Sequence, residues 1–265
     1  MRMWKMWFPI SQGDSSVMRN EKIKELLKNH RSELINADET SVFVTNGICY
    51  DGIVNEELFE QSEKIVFLLK ETNGNDKKGN AQSSYDDWNY RAWLEYQQHK
   101  NLEEPSYGER KLYKTFYNLA MWVDLFNSKT RVNFQEYVTE DGLSEENLRY
   151  QLGKTAVINL KKTWGGATTA WKSLNNYLKN SCVKEVLKNE LAYVEPKIVV
   201  CGSTEVYDFA KKIFEPNTEN TIVTSKKTVR VFFYQNMKFV EFYHPACRKS
   251  SEFLYDFCRE VVDQL

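Results

Sequence analysis

Three short apolar runs, separated by long stretches with helical periodicity, constrain the fold of this 265-residue chain most strongly. The runs are KIVFLL at 64–69, TAVINL at 155–160 and KIVVCG at 197–202. Uninterrupted apolar runs of this length are typical of strands that are buried on both faces. Because such strands alternate with helices here, the sequence predicts an α/β fold, a three-layer αβα sandwich with a largely parallel central sheet.

Helical and hairpin patterns fill most of the remaining chain. Asn55 precedes EELFEQ as the N-cap of a short helix over 55–62. The segment TVRVFFYQNMKFVEFYHP predicts a hairpin that turns near Gln235 and Asn236. TIVT at 221–224 predicts a short strand, and 75–87 predicts an exposed polar loop. Apolar residues at helical spacing predict further helices over 17–35, 87–100, 107–127, 168–192, 203–214 and 251–264.

Composition limits the function classes that are open to the chain. The formal net charge of −1 means that a nucleic-acid partner would need positive charge concentrated locally. The five cysteines form no CxxC pair, so we expect neither a bound metal nor a cofactor. Their odd number and irregular spacing are typical of reduced thiols in the cytoplasm. The N-terminus lacks the apolar segment of a signal peptide, and no run is long enough to span a membrane, so we expect a cytoplasmic protein with no membrane partner.

Polar side chains follow several of the predicted strands at the points where the strands end. Glu71 and Asn73 follow the first run, Asn159 closes the second, and His244 closes the hairpin. In open parallel sheets, ligands bind beyond the carboxyl ends of the strands. We therefore expect these side chains to meet on one rim as a binding or catalytic site. Each also has a purely structural interpretation, since Asn is common at strand ends and most charged side chains are solvated.

Three pairs of basic residues lie next to this predicted rim. They are Lys161 and Lys162 after the second run, Lys226 and Lys227 before the hairpin, and Arg248 and Lys249 after His244. Lysine and arginine are mostly exposed in folded proteins, so we expect all six side chains to be solvated. In loops beside the rim, they would also be placed to hold phosphate groups.

Four short segments occur in an order that resembles the uracil-DNA glycosylase superfamily. They are KETNG at 70–74, VINL at 157–160, VVCG at 199–202 and YHPACRKSS at 243–251. The resemblance covers roughly residues 50–264, with an insertion near 74–110. Thr72 stands where the family usually has Pro, and Ala-Cys-Arg follows the His-Pro turn where the family has Ser-Pro. The chain therefore resembles a divergent member of the superfamily.

The resemblance implies a fold and a reaction. It implies a glycosylase-like domain over 46–265, with residues 1–45 as a helical segment packed on it. The implied reaction hydrolyses the N-glycosidic bond of a flipped base in DNA and leaves an abasic site. Several divergent members excise modified bases, some of them from phage DNA, which suggests a substrate other than uracil and a role in defence against phages with modified DNA.

The resemblance also implies roles for individual residues. Glu71 and Asn73 would place the attacking water, His244 would stabilise the departing base, and Asn159 would read the base edge. An amine nucleophile at Lys70 would add lyase chemistry, but a monofunctional hydrolase is favoured. The aromatic residues that would stack on the base are Trp164, Tyr85 and Trp88. The implied partner is single- or double-stranded DNA, and the protein is expected to be a monomer. The residues that would contact the DNA are Lys70, Lys161, Lys162, Arg248, Lys249 and Ser250.

Three other interpretations are left open by the sequence. The chain could be a catalytically inactive nucleic-acid-binding member of the same fold, and the appearance of abasic sites in DNA would exclude that class. It could be an N-glycosidase that acts on free nucleosides or nucleotides, against which a steep salt dependence of oligonucleotide binding would argue. It could also be a structural protein without a ligand, in which case Glu71, Asn159 and His244 would lie far apart.

Overall fold

The computed structural model describes residues 18–38, 47–70, 114–128, 131–140, 142–165 and 171–265, and the backbone of short strands at 72–73 and 88–89. The strands are β1 Cys49–Tyr50, β2 Gly52–Ile53, β3 Ile65–Leu69, β4 Thr72–Asn73, β5 Trp88–Asn89, β6 Thr155–Asn159, β7 Trp164–Gly165, β8 Ile198–Cys201, β9 Glu219–Val223, β10 Thr228–Tyr234 and β11 Met237–Glu241. The helices of these residues are α1 Arg19–Asn29, α2 Arg31–Asn36, α3 Glu56–Glu60, α4 Lys114–Asn127, α5 Phe134–Thr139, α6 Glu145–Gly153, α7 Trp171–Tyr177, α8 Ser181–Val194, α9 Thr204–Phe214 and α10 Ser251–Val262.

Seven of the strands form one mixed sheet in the order β2-β6-β3-β8-β11-β10-β9. The four central strands, β6, β3, β8 and β11, run parallel to one another. At the two edges, β2, β10 and β9 pair antiparallel with their neighbours. Every residue of β3 and β6 is buried, as the apolar sequence of β3 and the largely apolar sequence of β6 predict. The predicted α/β fold is therefore confirmed, and its sheet is parallel at the centre only.

Helices cover both faces of this sheet. Along β3, Val66 and Leu68 pack into one apolar cluster, whereas Ile65 and Phe67 pack into another, because successive side chains of a strand point to opposite faces. The first cluster contains side chains of α1, α2, α3, α7, α8 and α9. The second contains side chains of α4, α5, α6 and α10. This arrangement of helix, sheet and helix layers is the one that an αβα sandwich requires.

The local signals for helix starts and for the hairpin turn are confirmed. The Asn55 side chain accepts a hydrogen bond from the Leu58 N–H at 3.0 Å and so caps α3. The predicted hairpin is formed by β10 and β11, which are joined by a two-residue turn at Gln235 and Asn236. Gln235 has a φ of 53°, as the first central residue of a tight hairpin turn requires.

Two predicted long helices are each divided in the structure. The helix predicted over 17–35 is divided between α1 and α2 at His30. The helix predicted over 168–192 is divided between α7 and α8, because the Asn180 side chain accepts a hydrogen bond from the Cys182 N–H and starts a new helix.

Several elements were not predicted. Strands β1 and β2 and helices α5 and α6 come from segments without a clear periodic signal. Trp88 and Asn89 belong to β5, which pairs with β1, so the helix predicted over 87–100 is wrong at these two residues. The rest of that prediction, the loop predicted over 75–87 and the start of the helix predicted over 107–127 lie outside the described residues.

The N-terminal helices pack on the sheet domain. Ile23, Leu27 and Leu34 belong to the same apolar cluster as the strands. The Asn20 side chain donates to the Ile53 carbonyl at 2.9 Å and accepts from the Ile53 N–H at 3.0 Å, so it extends the hydrogen bonding of β2. No helix of the described residues has both the length and the apolar composition that crossing a bilayer requires.

Candidate active site at the carboxyl edge of the parallel strands

The carboxyl ends of β3, β6, β8 and β11 lie side by side at one edge of the sheet. Leu69 is paired with Asn159 across β3 and β6, and the backbone pairing continues where the Lys161 N–H donates to the Lys70 carbonyl at 2.9 Å. On the other side of β3, the Gly202 N–H donates to the Leu68 carbonyl at 2.9 Å. Lys70, Asn159 and Gly202 are therefore brought to one edge by the register of the strands.

The turn that carries His244 belongs to the same edge. Glu241, at the end of β11, is paired with Cys201 of β8, and the Phe242 N–H donates to the Cys201 carbonyl at 2.9 Å. Strands β6 and β11 are separated by β3 and β8, so their ends lie about 14 Å apart at the usual strand spacing. The ends of β3 and β8 therefore lie between Asn159 and the His244 turn.

Gly202 allows the His-Pro turn to approach the end of β3. A Cβ atom at this position would lie 2.6 Å from Leu69 Cδ2 and 3.4 Å from both the Leu68 carbonyl oxygen and Pro245 Cδ. On the opposite side of the turn, the buried Asn118 side chain of α4 donates to the Pro245 carbonyl at 2.5 Å. The turn is thus held between the sheet and a helix, which fixes the position of its histidine.

His244 is a neutral histidine with a defined tautomer. Its Nδ1 accepts a hydrogen bond from the Ala246 N–H at 3.1 Å, so the ring proton is on Nε2. Burial, and then the nearby Lys70 ammonium, lowers the pKa of His244 to about 4. At neutral pH, His244 therefore offers an N–H donor without a positive charge of its own.

Asn159 is buried at the end of β6 and is held by a carboxylate. Its side chain is 2% exposed. Asp51 Oδ2 accepts a hydrogen bond from the Asn159 backbone N–H at 2.6 Å and another from its Nδ2 at 3.2 Å. These two bonds determine the orientation of the side-chain amide, which is the property that a base-reading residue needs.

Asp51 belongs to a fully buried cluster of three charged groups. Lys162 Nζ lies 2.9 and 3.0 Å from the two Asp51 oxygens and 2.7 Å from Glu190 Oε2, and all three side chains have no solvent exposure. Burial and the neighbouring Asp51 carboxylate raise the pKa of Glu190 to about 8, against the opposing effect of Lys162. Burial favours the neutral form of Lys162, but the two carboxylates outweigh it and raise the pKa of the ammonium. The cluster therefore keeps its ammonium charged, and Glu190 retains its proton to a higher pH than an exposed carboxyl group does.

The prediction that Lys161 and Lys162 are solvated is wrong. Lys161 is 2% exposed, and its Nζ lies 3.0 Å from Asp38 Oδ1 and 3.2 Å from the Trp164 carbonyl. Lys162 is the ammonium of the buried cluster with Asp51. Each lysine is buried with a carboxylate partner, Asp38 after α2 for Lys161 and Asp51 between β1 and β2 for Lys162. Neither Nζ is at the surface, so the predicted DNA contacts of both lysines are not supported.

The aromatic and polar residues predicted around the base are described only in part. Trp164 is 8% exposed and packs with Cys49. Strand β4 pairs with β7, with Asn73 opposite Gly165, so the backbone of Asn73 lies beside the segment that follows β6. The backbone of Trp88 is in β5. The remaining two predicted residues, Glu71 and Tyr85, lie outside the described residues.

The segment after His244 carries an exposed basic surface. Arg248 and Lys249 are exposed, as predicted. The Ser250 Oγ accepts a hydrogen bond from the Phe253 N–H at 3.2 Å and caps α10. Ser250 therefore has a structural role at the start of a helix, next to two exposed basic side chains.

Three residues that shape the edge were not predicted, namely Asp51, Asn118 and Glu190. Asn118 and Glu190 have a weak sequence signal, because each is a polar residue on the apolar face of a helix: Asn118 directly precedes Leu119, and Glu190 lies at helical spacing from Val186 and Val194. Asp51 has none, since it follows a two-residue strand that periodicity does not reveal. All three side chains are buried, so their importance depends on partners that are distant in sequence.

Comparisons with known proteins give no family for this chain. No family model matches it, and no curated protein matches it in sequence. The chemistry of the edge is therefore the basis for a functional inference. A neutral imidazole donor, an ammonium at Lys70 and an oriented amide at Asn159 are suited to a ligand that carries a planar polar group and negative charge.

Proposed function

We propose that this protein is a DNA glycosylase that acts on a flipped, modified base. The observation that carries the proposal is His244, a neutral histidine with its proton on Nε2, which shares one strand edge with the oriented amide of Asn159. In the proposed reaction, a water oxygen bonds to C1′ of the sugar as the C1′–N bond breaks. The bonding electron pair leaves with the base, and the water proton passes to a carboxylate.

The proposed role of His244 is to stabilise the negative charge on the departing base. A neutral imidazole that donates from Nε2 forms a hydrogen bond that strengthens as charge develops on the base. The Lys70 ammonium adds positive potential at the same place, which favours the anion further. Its effect on the His244 pKa supports this arrangement, because a nearby positive charge is what opposes protonation of the ring.

The proposed role of Asn159 is to select the base. An amide that is held in one orientation presents its donor and its acceptor at fixed positions, so a base with the opposite pattern is rejected. Asp51 supports this role by bonding to both nitrogen atoms of Asn159. Extrusion of the target base from the stack would cost a few kcal/mol.

Glu71 is the proposed carboxylate that orients water and stabilises the positively charged sugar. This role comes from the sequence, in which Glu71 directly follows Lys70 at the end of β3. Asn73, two residues further along, is the proposed second polar group at the water. A carboxylate in this position supplies both charge stabilisation and a base for the water proton.

The proposal is tested by base release from a panel of DNAs that contain uracil, deaminated purines, or hydroxymethylated or glucosylated cytosine. Abasic sites are detected by strand cleavage in alkali. We expect release from at least one substrate, loss of release in Glu71→Gln, and undiminished DNA binding by that variant. Lys197→Gln, at the opposite edge of the sheet, serves as the control and should retain full activity.

The outcomes of this experiment separate the competing functions. Binding of DNA without abasic sites on any substrate would overturn the proposal in favour of an inactive nucleic-acid-binding protein. Hydrolysis of free nucleosides, with no release from DNA, would instead indicate a nucleoside N-glycosidase. Undiminished release by Glu71→Gln would remove Glu71 from the mechanism.

A further inference from the structure

Phe253, in the first turn of α10, holds two lysines from different segments over its ring. Lys226 comes from the turn between β9 and β10, and its Nζ lies 5.4 Å from the ring centroid. Lys249 precedes the helix, and its Nζ lies 4.9 Å from the same centroid. The attraction between an ammonium and an aromatic ring thus brings two like charges together at one place on the surface. We call this surface, formed by Lys226, Lys249 and Phe253, the Phe253 platform.

Two more cations border the Phe253 platform. Lys114, at the start of α4, donates from its Nζ to the Lys249 carbonyl at 3.1 Å, and Arg248 is exposed beside Lys249. Within the described part of the chain, none of these four cations forms an ion pair with a carboxylate. The adjacent Lys227 differs from these four cations, because its Nζ lies 2.8 Å from the Glu241 carboxylate, which neutralises its charge.

The acidic groups of α10 neutralise the platform only in part. Glu260 is engaged with the turn that carries Lys226, since its carboxylate accepts hydrogen bonds from the Ser225 N–H at 2.5 Å and the Ser225 Oγ at 2.6 Å. Glu252 is exposed in the first turn, where it lies near the positive end of the helix dipole. The third acidic residue of α10, Asp256, pairs with Arg259 at 3.7 Å. Among the described residues of this surface, four cations are therefore offset only in part by the carboxylates of Glu252 and Glu260.

The Phe253 platform is continuous with the candidate active site. The Phe253 ring contacts the Tyr243 ring edge-on, with centroids 5.6 Å apart, and Tyr243 directly precedes His244. The turn with Lys226 lies at the same edge of the sheet, because β10 begins beside the end of β11. A ligand that reaches His244 from this side must therefore pass over the platform.

We infer that the Phe253 platform binds the phosphodiester backbone of a nucleic-acid strand next to the candidate active site. The two Nζ atoms lie 5.4 and 4.9 Å from one ring centroid, so they are no more than about 10 Å apart, which allows them to contact neighbouring phosphates of one strand. Unpaired ammonium groups that are fixed on a ring supply the sequence-independent attraction that positions such a strand. The inference deepens the proposed function by naming a contact surface, and it concerns binding alone.

The test measures binding of a fluorescent oligonucleotide by anisotropy at several salt concentrations, in single-stranded and duplex form. The oligonucleotide contains only the four ordinary bases, so its binding does not depend on base release. For the double variant Lys226→Gln/Lys249→Gln, we expect weaker binding and a salt dependence whose logarithmic slope is smaller by about 0.7 for each lost phosphate contact on a single strand, or about 0.9 on a duplex.

A matched control exists at the opposite edge of the sheet. Lys238 of β11 also lies over an aromatic ring, with its Nζ 5.8 Å from the Phe233 centroid. The exposed Lys197 lies next to it, because Lys197 directly precedes β8, which pairs with β11. Lys197→Gln/Lys238→Gln removes the same charge as the platform variant. Its affinity and its salt slope should equal those of the wild type.

The outcomes keep this inference separate from the proposed function. Equal affinity and equal slope in the platform and control variants would overturn the inference even if bases are released. Reduced binding by the platform variant would support it even if no substrate in the panel releases a base. A heparin fragment of equal charge that binds as tightly, with the same loss in the platform variant, would show a general polyanion site and also overturn it.

Discussion

The Asp51 carboxylate accepts hydrogen bonds from both the backbone N–H and the side-chain amide of Asn159, at 2.6 and 3.2 Å. The same carboxylate pairs with Lys162, which pairs with Glu190 in turn. The amide at the candidate base-binding position is thus connected to a buried charge cluster. Changes within that cluster should therefore affect both the stability of the fold and the candidate site.

Asp51→Asn should be strongly destabilising, because it removes one charge of a buried pair and leaves the Lys162 ammonium short of a partner. Loss of one partner of a buried ion pair costs about 3–5 kcal/mol. Urea unfolding, followed by circular dichroism, measures this change. Asp208→Asn is the control, since Asp208 pairs with Arg230 at the surface with 44% of its side chain exposed, and such pairs contribute about 0–1 kcal/mol. Equal losses in the two variants would contradict the importance of the buried cluster.

The Glu190 carboxyl should make the protein less stable as the pH rises. Its pKa is raised from 4.5 to about 8 in the folded state, so between these values the folded protein binds more protons than the unfolded chain. The stabilising effect is complete below pH 4.5 and is lost as the pH rises through about 8. Glu190→Gln should remove this contribution from the pH dependence of the free energy of unfolding. A wild-type pH profile that runs parallel to that of the variant would refute the assignment.

His244 should remain neutral down to a pH near 4, and Lys70 should be one of the reasons. Lys70→Gln removes the positive charge but leaves the burial that contributes most, so the pKa should rise while staying below the ordinary value of 6.5. NMR titration of the three histidines, with His244→Gln for assignment, measures the change. Lys197→Gln should leave the pKa of His244 where it is. Because the folded pKa is lowered, this histidine contributes stability above pH 6.5 that is lost as the pH falls through about 4.

Gly202→Ala should displace the His-Pro turn and reduce base release. The added Cβ would lie 2.6 Å from Leu69 Cδ2, and inserting a methyl group into a packed site usually costs about 1–3 kcal/mol. The matched test combines Gly202→Ala with Leu69→Val, which removes the atom that clashes. The double variant should be more stable than the sum of the two single effects predicts. Simple additivity would show that the close approach at Gly202 does not matter.

Much of the fold follows from local signals in the sequence. The apolar runs at 64–69 and 155–160 form buried central strands because only such strands are covered on both faces. Asn55 starts a helix and Gln235 makes a turn because each satisfies a local backbone requirement. Where predictions failed, as in the helix over 168–192, a cap at Asn180 interrupted an otherwise continuous apolar pattern.

The same distinction, between local patterns and long-range packing, applies to the candidate site. The sequence by itself determined that Asn159 and His244 close strands, because the end of an apolar run and the polar residues after it form a local pattern. The roles predicted for Glu71 and Tyr85 stay predictions. Only the tertiary structure decided that Lys161 and Lys162 are buried, because burial of an ammonium depends on its partner carboxylates, which here are far away in the sequence. The sequence alone predicts that a lysine is solvated, because most lysines are exposed. The contact with a carboxylate that buries such a lysine forms only when distant segments of the chain pack together.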